Sequence, residues 1–366
     1  MDPRLRGDDS GCIYMQKPKI ELTIEKLNSK GAGIARKDGL VYFIPWGVPG
    51  DTVLVQVELQ HKKYAEARLL AILNPSKDRI KPPCSYFYEC GGCQLQHLSY
   101  EATLLWKKVI VEDALKKIAQ IKNPLVLPVL PSPKPFHYRN RIRLHQDEKG
   151  NLGFYKNQSH QLVAINECLI AEDELNRQLT HLKQNRVGDL ELRIDQGSHF
   201  SQINSLQNEK LIQLVCHALE DSHAVIDLFC GNGNFTIPIA QNKIPVWGIE
   251  KEKALVDEGK KRSGELGLLN IEWILGTAIR GLKQLKHLAG KISMVVDPPR
   301  RGMAEVLPDI VYMAPQKIIY VSCDPATFAR DTRDLCAKGY TLKKCQPLDM
   351  FPHTSQIEVV GIFTKN

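Results

Sequence analysis

No stretch of the 366 residues joins the roughly 18 apolar side chains that a membrane-spanning helix requires. A helical membrane protein is thereby excluded. The start, Met1-Asp2-Pro3-Arg4, lacks the apolar core of a secretory signal, so the expected location is the cytoplasm. There is no internal repeat and no low-complexity tract, which excludes solenoids and fibrous arrays. G-x-x-x-x-G-K-[ST] is also missing, and with it a P-loop phosphate site.

What remains is ordinary globular material, with 43% hydrophobic and 25% charged residues in a chain longer than one core usually fills. Two or three domains are expected. The net charge of +8 favours a polyanionic partner, because cations that neutralise phosphates release condensed counterions. Ten cysteines in a reducing compartment are not expected to pair as disulfides. Clustered ones read as metal or cluster ligands, and isolated ones as core or catalysis.

Short alternating runs at Ile20–Leu27, Val41–Ile44, Val53–Leu59 and Tyr64–Ile72, broken by Gly31-Ala32-Gly33, Asp38-Gly39 and Pro49-Gly50-Asp51, predict a small closed β-barrel. An amphipathic helix is predicted over Tyr100–Ile118, with Leu104, Leu105, Val109, Leu115 and Ile118 apolar. Pro124–Pro135, with five prolines, reads as a stiff linker, and Phe136 to Phe200 as mixed and strand-rich. After Ala224 the apolar runs Val225–Phe229, Val246–Ile249, Ile271–Leu275, Ile292–Val296, Ile318–Val321 and Ile357–Phe363 alternate with helical patterns. That is the signature of a doubly wound α/β sheet, whose ligands bind at the carboxyl ends of its strands.

The first of these strands ends in Asp227-Leu228-Phe229-Cys230-Gly231-Asn232-Gly233-Asn234-Phe235, where glycines permit a tight turn and close approach of a ligand. Glu250 closes the second strand about twenty residues on, where an acid can bind the two hydroxyls of a ribose. The third glycine of the dinucleotide fingerprint is absent. S-adenosylmethionine, with no phosphate to cradle, therefore fits better than NAD or ATP. The fourth strand ends in Asp297-Pro298-Pro299-Arg300-Arg301-Gly302, whose prolines stiffen the loop that holds Asp297. Nitrogen-methylating enzymes carry an aromatic residue where Arg300 stands, which argues against amino methylation.

The fifth strand runs into Ser322-Cys323-Asp324-Pro325, with Asp324 the predicted helix N-cap and Pro325 the first helical residue. A helix dipole can lower the pKa of a thiol placed here. A small core cysteine is the ordinary alternative. Pyrimidine C5 chemistry gives such a thiol a use, since C5 is too weak a nucleophile to attack a methyl sulfonium until a thiolate has added at C6. Loss of the C5 proton then needs a general base, and Glu358, in Phe351-Pro352-His353-Thr354-Ser355-Gln356-Ile357-Glu358, is the candidate.

Cys84, Cys90 and Cys93 are spaced C-x5-C-x2-C, with Cys168 a candidate fourth ligand. Four thiolates bind iron–sulfur or zinc; the five-residue gap and the lack of a second C-x2-C pair favour a [4Fe–4S] cluster.

Together the motifs CGGCQLQHL, FHYRNR, FSQIN, DLFCGNGNFT, DPPRRG, SCDPATFARD and FPHTSQIE resemble the RNA (uracil-5-)methyltransferase family, most closely its iron–sulfur members that act on large-subunit ribosomal RNA. The resemblance implies a TRAM-like, OB-like RNA-binding β-barrel over residues 17–75. It further implies a mixed α+β central domain with the cluster site over 76–200, and a Rossmann-like α/β catalytic domain over 201–366. It assigns Cys84, Cys90, Cys93 and Cys168 to a [4Fe–4S] cluster. Gln202, Phe229, Asn234, Glu250, Thr277 and Asp297 would contact S-adenosylmethionine, with Cys323 as nucleophile and Glu358 as base. The partner would be RNA presenting a flipped-out uridine to a monomeric enzyme, with Arg139, Arg141 and Arg143 beside Phe136 and Tyr138 meeting phosphates and bases.

Thr277 departs from the Asp or Asn usual in the family, and the stretch between Pro135 and Phe200 is shorter than in larger members. Transfer RNA is the alternative substrate. A non-catalytic iron–sulfur RNA-binding protein is the alternative from another class, and a zinc protein a third.

Overall fold

The computed structural model describes residues 18–182, 188–194 and 202–366. They fall into two compact units, one formed by residues up to 28 and 32–79, the other by 29–31 and 80–366.

The first unit is a six-stranded sheet of β1 (Lys19–Thr23), β2 (Lys26–Leu27), β3 (Gly33–Lys37), β4 (Leu40–Ile44), β5 (Thr52–Gln60) and β6 (Tyr64–Asn74), in the order β1-β5-β6-β4-β3-β2. Strands β1 and β2 are sequence neighbours on opposite edges, so the sheet curls until its edges meet, as a barrel does. Alternation along β5 turns Val53, Val55 and Val57 inward onto Leu22, Ile24, Ala35, Ile44 and Ala65. Strand β3 was not expected, because Gly31-Ala32-Gly33 reads as a turn and leaves too few residues for a visible alternation. Between β3 and β4, Asp38 and Gly39 both take positive φ, 50° and 76°, as the expected hairpin turn requires.

In the second unit, α1 (Tyr100–Lys117) starts where Ser99 caps it, its hydroxyl accepting from the Ala102 N–H at 3.2 Å. The buried face is Ala102, Thr103, Lys107, Val111 and Leu115, whereas Leu105 is 55% exposed. The apolar stripe expected from Leu104 and Leu105 is therefore rotated. A buried ion pair causes this: Lys107 Nζ lies 2.5 Å from Asp349 Oδ1, and no apolar periodicity can reveal a lysine that faces inward.

Next come β7 (Arg141–Gln146), β8 (Leu152–Tyr155), β9 (Leu162–Ala164), α2 (Asp173–His181) and β10 (Leu190–Arg193). They make an antiparallel sheet ordered β10-β7-β8-β9, whose Ile142, Leu144 and Leu192 pack with Leu175 and Leu179 of α2.

The remainder is α3 (Ser205–Ala218), β11 (Val225–Leu228), α4 (Thr236–Gln241), β12 (Val246–Glu250), α5 (Lys253–Glu265), β13 (Ile271–Leu275), α6 (Ala278–Gln284), β14 (Ser293–Val296), α7 (Leu307–Met313), β15 (Lys317–Ser322), α8 (Pro325–Cys336), β16 (Tyr340–Leu348) and β17 (Glu358–Lys365). The seven strands lie in the order β13-β12-β11-β14-β15-β17-β16, parallel except for β17, which is antiparallel to both neighbours. Apolar layers cover both faces. The order reverses between β11 and β14, and there the crevice for a ligand opens.

Edge strand β16 was not expected, since Pro347 interrupts its pattern; a proline is tolerated on an edge. The proline-rich segment is not a free linker either. Leu127 N–H donates to the Cys345 carbonyl and Leu130 N–H to that of Pro347, both at 2.9 Å, so it lies along the outer edge of β16. Among the described residues no helix is long and apolar enough to cross a membrane.

Candidate active site

Strand register lines up the sequence-predicted residues. Leu228 pairs with Ile249 on one side and Val296 on the other, so Phe229, Glu250 and Asp297 are the next residues out on adjacent strands. On β15 and β17, Ser322 pairs with Val359, which sets Cys323 opposite Glu358 one step further. All five sit at the carboxyl edge of the parallel strands.

The cofactor loop is held in unusual backbone conformations. Phe229 takes φ 62° without being glycine, a strained geometry that clusters at functional sites. Gly233, at φ 93°, could carry no side chain, because a Cβ would lie 2.7 Å from Trp273 Cη2. Glu250 is buried and its carboxylate accepts from the N–H groups of Gly231 (3.2 Å), Lys251 (2.7 Å) and Glu252 (2.9 Å), which fixes it while leaving lone-pair capacity for a hydroxyl. Asn234 exchanges amide hydrogen bonds with Asn208 at 2.8 and 3.2 Å. Thr277 caps α6, its hydroxyl oxygen accepting from Arg280 N–H at 3.3 Å, so the O–H is left to donate. Gln202 is placed through its backbone, whose carbonyl accepts from Asn140 Nδ2 at 2.9 Å. Phe200 and Ser201 of the same motif lie outside the described residues.

Acids dominate the electrostatics. Burial pushes Asp297 up to about 7. Burial and the neighbouring Asp297 carboxylate raise Glu358 well above the ordinary range, its side chain being 5% exposed. Asp227, which sequence reasoning did not single out, is wholly buried and is also pushed to about 7 by desolvation, against the hydrogen bond donated by the Thr236 hydroxyl at 2.6 Å. Its other oxygen has no partner among the described residues.

Cys323 is half-buried, and Asp324 caps α8 as expected, accepting from Thr327 N–H at 2.7 Å. The net shift of its thiol is upward. Burial and then the Glu358 carboxylate push it up, and Arg300 pulls it down. Desolvation is the largest of these causes, as expected of a half-buried sulfur with acids beside it.

The Asp297–Gly302 loop is clamped by α8. Thr327 Oγ1 donates to the Arg300 carbonyl at 3.1 Å and Arg330 Nη2 to that of Arg301 at 2.7 Å. Buried Asp331 accepts from Met303 N–H at 2.9 Å and from the Tyr320 hydroxyl at 2.8 Å.

Away from this edge, Cys84, Cys90, Cys93 and Cys168 are free, half-buried thiols. Burial pushes Cys90 up to about 11 and Cys93 to about 12, and each of the four lies near enough to others to raise or feel their charge. Among the described residues no group of three or more His, Cys, Asp or Glu is set to hold a metal ion. The Gly92 N–H donates to Cys90 Sγ at 3.4 Å, and the Gln96 side-chain oxygen accepts from Cys84 N–H at 3.2 Å.

The aromatic residues expected to stack on RNA are occupied within the protein. Tyr138 is 3% exposed and donates to the Pro352 carbonyl at 3.0 Å, while Phe136 stacks on His353 with centroids 4.1 Å apart. Arg143 pairs with Asp189 at 2.6 Å. The alternating arginines of β7 form its solvated face, opposite buried Ile142 and Leu144.

A family model described as tRNA (Uracil-5-)-methyltransferase matches residues 185–366, and a TRAM domain model matches residues 17–70. An uncharacterized RNA methyltransferase of Halalkalibacterium halodurans is 30% identical over 441 residues, covering 94% of this chain and 96% of the relative. A 23S rRNA (uracil(1939)-C(5))-methyltransferase of Vibrio parahaemolyticus is 28% identical, covering 97% and 99%. The solved Pyrococcus abyssi tRNA (uracil-54, C5)-methyltransferase, in complex with S-adenosyl-L-homocysteine, matches with a TM-score of 0.73 at 22% identity over 94% of this chain and 100% of that one; at that identity the likeness establishes the fold.

Proposed function

The chain belongs to the tRNA (uracil-5-)-methyltransferase family and is an S-adenosylmethionine-dependent RNA (uracil-C5) methyltransferase; we propose that it makes 5-methyluridine in large-subunit ribosomal RNA through a covalent adduct on Cys323. The observation that carries this reading is the register that sets Cys323 opposite Glu358, beside Asp297.

The chemistry follows from that arrangement. The Cys323 thiolate adds to C6 of a uridine flipped out of its stack, forming a C–S bond and pushing the ring electrons to C5. C5 takes the methyl group from the sulfonium, releasing S-adenosylhomocysteine. Glu358, ionised, removes the C5 proton; the double bond re-forms, the C6–S bond breaks and the thiolate returns. A cationic methyl donor supplies what the buried acids lack, because a positive charge beside Asp297 and Glu358 favours their ionised forms. Glu250 would take the ribose hydroxyls, Phe229 and Thr277 the adenine, and Asn234, Gln202 and Asp297 the remainder of the donor and the target base.

Cys84, Cys90, Cys93 and Cys168 fit a [4Fe–4S] cluster. They are all-thiol donors, unpaired and close enough to feel one another's charge, the donor set that such a cluster takes. The cluster would cross-link the chain; the methyl transfer needs no electron. Ribosomal RNA is favoured by the relatives named for 23S rRNA, which this chain spans nearly end to end, and a monomer in the cytoplasm suits that role.

The test is nucleoside mass spectrometry on RNA from cells lacking the protein, incubated with S-adenosylmethionine and wild type or Cys323→Ala. New 5-methyluridine in ribosomal RNA with wild type only is expected. Product in transfer RNA instead would replace the substrate, and product with Cys323→Ala would overturn the mechanism.

A further inference from the structure

The Cys90-Gly91-Gly92-Cys93-Gln94 motif does more than present thiols. Gln94 follows Cys93 directly, and its backbone N–H donates to the His353 carbonyl at 3.0 Å, joined by Leu95 N–H at 2.9 Å. Its side-chain oxygen accepts from Ser355 N–H at 3.2 Å, and its amide donates to the Gly91 carbonyl at 2.8 Å. One side chain thus spans from between two cysteines to the turn that feeds β17, three residues short of Glu358. The turn has no ladder of its own there, and His353 within it takes φ 63°.

We propose that Gln94 is a positioning residue for proton abstraction: it ties the His353–Ser355 turn to the cysteine loop and so aims Glu358 at C5 of the substrate. The proposal rests on the reading of Glu358 as the base. Cys323 is held separately, by β15 and by the cap of α8, and none of its contacts runs through Gln94. Thiolate addition and methyl transfer therefore proceed without it, and the step that suffers is the last one. A misplacement of about 1 Å costs on the order of 100-fold when geometry governs a step. Lys107, which donates to the Phe351 carbonyl at 3.1 Å, and Tyr138, on the Pro352 carbonyl, hold the start of the same segment, so the variant chain still folds.

The experiment compares wild type, Gln94→Ala, Gln94→Met and Glu358→Gln on whichever of large-subunit ribosomal RNA or transfer RNA accepts methyl from wild type. S-adenosylmethionine carries tritium in the methyl group. Turnover, KM for RNA and the methylated protein–RNA adduct on a denaturing gel are measured, with iron per chain as the check on the cysteine loop. Methionine keeps the volume of glutamine and removes its hydrogen bonds. Both Gln94 variants are expected to turn over about 100-fold more slowly with KM within about twofold of wild type, and to accumulate the adduct as Glu358→Gln does. Slow turnover without adduct, unchanged turnover, or loss of iron from both variants would overturn the proposal. Absence of adduct from Glu358→Gln alone would instead sink the reading of Glu358 as base.

Discussion

Asp297 is half-buried but strongly desolvated, which gives ligand binding at this edge an expected dependence on pH. Desolvation holds it near 7, so below that pH much of the population carries a proton that a cationic donor must displace. Binding of S-adenosylmethionine is therefore expected to strengthen as pH rises through about 7 and to release protons, which calorimetry in two buffers of different ionisation heat would detect. Asp297→Asn should flatten the dependence and weaken binding about tenfold at pH 8, the loss of roughly 1.4 kcal/mol from one charge-assisted contact. Affinity independent of pH, with no proton release, would show that Asp297 does not face the donor. Cys323 and Glu358 could be picked out in the sequence because the proposed pyrimidine chemistry asks for a thiol and a base at strand ends, and the strand register brings the two together. Asp227 opens the motif that ends at Thr236, yet nothing in the motif gave it a part, since its signal is burial against the Thr236 hydroxyl. The upward shift of Cys323 was not legible, because a helix cap is visible in Asp324-Pro325 while Glu358, thirty-odd residues on, becomes a neighbour only by strand pairing.

At the scale of elements, the loop after β14 and helix α8 act as one piece. Gly302 sits at φ 79°, and a Cβ there would meet Asp331 Oδ2 at 2.3 Å and Thr327 Cγ2 at 2.5 Å. Gly302→Ala combines a left-handed backbone with a clash against the buried Asp331 hub. A loss of about 1–3 kcal/mol is expected from the backbone strain, seen as a lower melting temperature. Binding of S-adenosylmethionine should weaken as well, because Asp297 opens the same loop; an alanine variant with wild-type melting and affinity would separate the loop from the site. Strands β11 to β15 were read from the sequence nearly residue for residue, since each is a short, largely apolar run between turn residues. Strand β16 and the segment lying on it were hidden by prolines, and the inward face of α1 by Lys107. In each case tertiary pairing overrides the local pattern: an edge accepts Pro347, and Asp349 accepts a buried lysine.

Across the whole molecule, the order barrel, cysteine region, doubly wound sheet followed from changes in periodicity along the chain, but how distant segments are joined did not. Cys84, Cys90 and Cys93 precede α1, whereas Cys168 lies between β9 and α2. A cluster on these four closes a loop of 168 − 84 = 84 residues. Treated like any cross-link, that closure removes about 4–5 kcal/mol of denatured-state entropy. Chelating the iron anaerobically is therefore expected to lower the melting temperature by on the order of 10 °C, at 2–4 °C per kcal/mol for a chain of a few hundred residues. Four thiols should become reactive to a disulfide reagent in step with the iron released, and Cys168→Ser should reproduce part of the loss with iron still assayable. Zinc in place of iron and sulfide, or a melting temperature indifferent to chelation, would remove the cross-link from the architecture. The register that joins Cys323 to Glu358 would stand, because the strand pairing that sets it involves none of the four cysteines.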